Sequence, residues 1–137
     1  MRASLRAVVG EGDTAIEVGS GDVPVLATPR LLALAEAASV AAIEPQLPAE
    51  LTSVGTAASL EHRRASPVGA EVVVEAELTE VDGRRLVFSF IAREGGQGAG
   101  GPGDEGDEDR VVGAGTVERV LVDREAFLAR AGAAHRP

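Results

Sequence analysis

Residues 31–43 read Leu-Leu-Ala-Leu-Ala-Glu-Ala-Ala-Ser-Val-Ala-Ala-Ile, and no other stretch limits the possible fold as tightly. At about 100° per residue, Leu31, Leu34, Ala35, Ala38 and Ala42 form one apolar stripe of a helix. Leu32, Ala33, Val40 and Ile43 carry apolar surface around its other sides. A helix apolar almost all round must be covered all round. Its polar side chains are Ser39 and Glu36. A carboxylate in such a helix is costly to desolvate unless it is paired, neutral or chemically employed.

The flanks bound this helix. Thr28-Pro29 opens it, since threonine is a favoured N-cap and proline a favoured first-turn residue. Pro45 stops it and Pro48 follows. Ahead of it, residues 4–9 and 14–18 read as two short β segments. After it come strand patterns over 54–64, 70–81, 85–93 and 111–122. In the first, Val54, Thr56, Ala58, Leu60 and His62 share a face, and in the second Val72, Val74, Ala76 and Leu78 do so. Asp82-Gly83 marks a hairpin into Leu86, Phe88, Phe90 and Ala92. Residues 124–131 suggest a short terminal helix. The expected class is α+β, with a long helix against a meander of about four antiparallel strands. Such a sheet covers one side of a helix, so a second copy of the chain is the simplest cover for the rest.

Composition narrows the partners. The 137 residues carry a net charge of -9 and three Phe, with no Trp, Tyr or Cys. Nucleic acid and anionic membrane are disfavoured by that charge, and aromatic base-stacking platforms are missing. Disulfides, thiolate metal sites and a cysteine nucleophile are excluded, and two distant histidines make no metal set. The first residues have no apolar signal core and no run reaches membrane-span length, so the cytoplasm is the expected location. Residues 95–109 are Gly-rich and acidic and read as a solvated, flexible loop. Residues 1–131 are expected to form a single domain, with 132–137 a frayed tail.

Five residues could carry chemistry, each with two open readings. Glu36 is a structural salt-bridge partner or a working carboxylate. His62 is a satisfied core histidine or a base, and a Glu36–His62 pair would shift both protonation equilibria. Thr28 is an N-cap, or its hydroxyl and the free N–H groups of the first turn hold a developing oxyanion. Thr28 and Glu36 stand about 12 Å apart along the axis, so a site shared across a dimer interface would bring both to one substrate. Gly55, out of phase with its strand, is a bulge or a point of close ligand approach. Arg119 pairs within the sheet or holds an anion.

These residues lie in four stretches. They are Ala27-Thr28 through Glu36, Gly55-Thr56-Ala57 through His62, residues 81–86 (Val-Asp-Gly-Arg-Arg-Leu), and Gly113-x-Gly115-Thr116-x-Glu118-Arg119. In order and spacing the four together resemble the fluoroacetyl-CoA thioesterase family of hot-dog-fold enzymes. The resemblance implies a homodimer whose sheet wraps a long central helix, and hydrolysis of an acyl-CoA thioester without a further cofactor or metal. It assigns catalysis to Thr28, Glu36 and His62 and substrate contact to Gly55 and Arg119. Phenylalanines of a lid in the family's characterised enzyme have no counterpart in the short, aromatic-free residues 17–24. The rival reading is a non-catalytic dimer that binds acyl-CoA as a sensor or carrier.

Overall fold

The computed structural model describes residues 1–95 and 110–134. Most of the acidic, Gly-rich segment and His135 therefore lie outside the described residues. The elements run β1 (Arg2–Val8), a 3-10 turn (Glu11–Asp13), α1 (Ala15–Val18), α2 (Thr28–Ile43), a second 3-10 turn (Glu44–Gln46), β2 (Leu51–His62), β3 (Glu71–Asp82), β4 (Arg85–Gly95), β5 (Val111–Asp123) and α3 (Arg124–Ala134).

The strands make one antiparallel sheet in the order β1-β3-β4-β5-β2. Three consecutive strands, β3 to β5, form the expected meander, with Gly83 (φ 62) supplying the left-handed residue of the β3–β4 turn. β2 departs from that expectation. It pairs with β5 at the far edge, so the β2–β3 connection crosses from one side of the sheet to the other. On its way it passes the start of α2, where Leu26 N donates to Ser66 O and Val25 bridges Pro67.

Val72, Val74 and Ala76 of β3, Phe88, Phe90 and Ala92 of β4, and Val117 of β5 form the buried inner face. α2 lays Leu31, Leu34, Ala35, Ala38, Ala42 and Ile43 on it, closest to β1 and β3. Gly113 helps it approach, since a Cβ there would stand 3.1 Å from Leu31 Cδ2. Ser39 is fully buried but satisfied, its hydroxyl donating to the Glu36 carbonyl at 2.6 Å. The other side of the helix is bare in a single chain: Ala37, Val40 and Ala41 are exposed.

Two local expectations are overturned. Residues 15–18 form a helical turn rather than a strand, because Thr14 Oγ1 accepts the Glu17 N–H and Gly19 closes the turn at φ 89. Alternation over so few residues cannot outweigh a cap at each end. In β2, the register shifts between Gly55 and Ala57, leaving Thr56 as the extra residue of a bulge. The bulge resets the side-chain phase. Ala58, Leu60 and His62 keep the inner face, but before it the inward residues are Ser53 and Gly55, not Val54 and Thr56.

Candidate active site

The helix entrance is fixed by its own sequence. Asp13 accepts from Gly10 N at 2.8 Å and from Arg30 Nε at 2.7 Å, and Ala27 N donates to the Asp13 carbonyl. The Arg30 hydrogen bond, with that of Gly10, holds the Asp13 carboxyl below its ordinary range. Ala27 takes the N-cap position, and no side chain caps the helix. The cap expected of Thr28 is therefore absent. Its residue already has helical conformation, which frees the hydroxyl to point elsewhere.

It points to His62. Thr28 Oγ1 lies 2.7 Å from His62 Nδ1. The two line a cavity of about 350 Å³ walled by Ala15, Val23, Val25 and Leu26 from before the helix and by Arg63 and Arg64 from the crossing connection. His62 is partly buried, and loss of water holds its pKa below 6.5, against a smaller opposing effect of the Arg64 backbone. Its Nε2 is buried without a hydrogen-bond partner among the described residues. A neutral imidazole with a threonine hydroxyl at 2.7 Å can accept that hydroxyl's proton.

Glu36 lies two turns further along α2, in a different cluster. Arg119 Nη1 donates to Glu36 Oε2 at 3.3 Å, and Gly55 lies so near that a Cβ on it would press into the same oxygen. Arg119 is 7 % exposed; its Nε donates to Ser53 Oγ at 2.8 Å and its Nη2 to the Ser53 carbonyl at 3.1 Å. Burial lowers the proton affinity of this guanidinium, and the Glu36 charge opposes the change. Glu118 faces the other way and binds Arg85 at 2.9 Å. Gly55 thus adjoins the bulge, and what its bare backbone admits within the chain is the Glu36 carboxylate.

Within the single chain the expected Glu36–His62 pair does not form. Histidine meets threonine, and glutamate meets arginine, at opposite ends of one stretch of helix. Nor is Glu36 deeply buried there; its side chain retains 41 % exposure beside the bare face of α2. Ser53 was not singled out from the sequence, because its inward direction depends on the bulge at Thr56, three residues later. Among the described residues no group of three His, Cys, Asp or Glu could hold a metal ion, and no helix is long and apolar enough to cross a membrane.

Comparison with known proteins bears on this geometry. Residues 9–102 match the family model described as fluoroacetyl-CoA-specific thioesterase. A fluoroacetyl-CoA thioesterase from Streptantibioticus cattleyicolor is 38% identical over 106 residues, covering 77% of this chain and 67% of that one. A solved structure of a mutant of the fluoroacetyl-CoA thioesterase FlK in complex with acetyl-CoA superposes with a TM-score of 0.83 at 29% identity, covering 99% of this chain and 97% of that one. A hot-dog-like protein from Thermanaerovibrio acidaminovorans shares the fold alone, with a TM-score of 0.82 at 19% identity over 100% of this chain and 92% of that one.

Proposed function

The chain belongs to the fluoroacetyl-CoA-specific thioesterase family, and from that premise we propose that it hydrolyses a small acyl-CoA at a site built across a homodimer interface. The observation that carries this reading is the Thr28–His62 contact at the mouth of a cavity beside a helix N-terminus. Thr28 and His62 come from one protomer and Glu36, with Gly55 and Arg119, from the other. The bare Ala37, Val40 and Ala41 of α2, and inward-facing but exposed Ala58 of β2, supply the apolar surface for pairing. Residues 1–131 act as a single domain, working in the cytoplasm.

The chemistry follows from charge. The thioester carbonyl sits near the free N–H groups of the first turn of α2, where the helix dipole favours a developing oxyanion. The Thr28 hydroxyl orients it and His62 Nδ1 handles the proton. Glu36 then attacks the carbonyl carbon, expelling the CoA thiolate and leaving an anhydride that water opens, or with His62 it deprotonates the attacking water. Hydrolysis in heavy-oxygen water separates the routes: label in a protein carboxylate after repeated turnovers marks attack by Glu36. Arg119 and Gly55 hold Glu36 from behind and contact the substrate. Among the described residues no Phe, Tyr or Trp lines the cavity, so no phenyl ring of this chain's wall selects a fluorinated acyl group.

The test is thiol release over short, branched and aromatic acyl-CoAs. Glu36→Gln and His62→Ala should each lower kcat/KM for the best substrate at least about a hundredfold. Equal rates in both variants and the parent would overturn the assignment.

A further inference from the structure

Ser53 engages Arg119 in an unusual way. An arginine normally meets a carboxylate with the parallel N–H pair of its Nε/Nη2 edge or its Nη edge, giving two bonds at once. Here Ser53 occupies the Nε/Nη2 edge with its own two oxygens, the hydroxyl at 2.8 Å and the carbonyl at 3.1 Å. Glu36 is left with Nη1 alone, at 3.3 Å, and no hydrogen bond reaches its other oxygen among the described residues. The bulge after Gly55 makes this possible by turning Ser53 inward beside Arg119.

We infer that Ser53 is a positioning residue for the hydrolysis: by holding the Nε/Nη2 edge of the Arg119 guanidinium at two points, it fixes the orientation in which Nη1 alone reaches Glu36 and one carboxylate oxygen stays open to the substrate. The inference rests on the reading of Glu36 as the working carboxylate. Without the Ser53 hydroxyl, Arg119 keeps only the Ser53 carbonyl on Nη2, and the guanidinium is free to swing until its Nη1/Nη2 edge grips both oxygens of Glu36, so the carboxylate loses the freedom that attack or proton abstraction needs. A carboxylate bound at both oxygens is the more stable pair and the poorer reagent.

The experiment compares Ser53→Ala, Ser53→Thr and the parent in the full chain, by thiol release from its best acyl-CoA and by nitrogen–proton spectra of the arginine side chains. Arg119→Lys identifies the Arg119 Nε–H signal by its disappearance. In the parent that proton is expected to exchange slowly. Ser53→Ala should move or broaden the signal and lower kcat about tenfold, since the loss falls on the carboxylate that Arg119 positions. Ser53→Thr, which restores a hydroxyl, should recover both. A Ser53→Ala protein with parental kcat, or one whose lost kcat Ser53→Thr does not recover, would overturn the inference. Glu36→Gln is the control that separates the two claims. If it hydrolyses as fast as the parent, the active-site reading has failed; if it is inactive while Ser53→Ala is fully active, only the role of Ser53 has failed.

Discussion

At Gly55 a missing side chain decides the site. Any Cβ there would occupy the volume of Glu36 Oε2, and the surrounding strand pairing leaves the backbone little room to retreat. Gly55→Ala should therefore leave the thermal midpoint within a few degrees of the parent while kcat drops about ten- to a hundredfold as the carboxylate is pushed aside. Circular dichroism and thiol release on the same sample check both halves. His62 makes a prediction in pH. Because burial depresses its pKa, the unfolded chain takes up a proton near 6.5 before the folded chain does. Its contribution to stability is complete above that value and is lost as pH falls from 6.5 toward the folded pKa. Urea midpoints of the parent should accordingly drop relative to those of His62→Gln between about pH 7 and about pH 5. A parent-to-variant difference flat across that interval would contradict the buried, neutral imidazole.

Elements were legible wherever one physical signal spoke alone. The inward rows of β3 and β4 could be read from alternation, since Val72, Val74, Ala76, Phe88 and Phe90 leave no competing face. The long helix was evident from its apolar length. Residues 14–18 were misread because caps, not periodicity, govern a single turn. β2 was half misread because one inserted residue reverses every direction before it, and period-two reasoning has no term for an insertion. The bulge hid Ser53, and the single-chain geometry parted the pair expected of Glu36 and His62. Thr28, Gly55 and Arg119 could be named from sequence, but which of their open readings applied depended on backbone detail. Packing of α2 on β5 yields another prediction. Gly113→Ala would place a Cβ 2.6 Å from the Glu61 carbonyl and 3.1 Å from Leu31, so it should lower unfolding free energy by about 1–3 kcal/mol in denaturant titration. Leu31→Ala, which empties a fully buried position in the same contact, should cost about 2–5 kcal/mol.

For the whole molecule, the bare flank of α2 matters most. A helix that leaves Ala37, Val40 and Ala41 in water has one apolar flank uncovered, and the inner face of β2 beside it is likewise open at Ala58. Val40→Glu should convert the proposed dimer to monomer in sedimentation and remove hydrolysis with it, since each half-site then lacks the other. A monomeric parent with full activity would refute the shared site.

The separation of Thr28 from Glu36 along one helix has a genetic corollary. If each reaction centre draws threonine from one subunit and glutamate from its mate, two individually dead proteins, Thr28→Val and Glu36→Gln, can heal one another. Allowed to exchange subunits at equal concentration, they would form hybrids with one ruined centre carrying both lesions and one centre carrying neither. About a quarter of parental turnover would reappear from two inactive stocks.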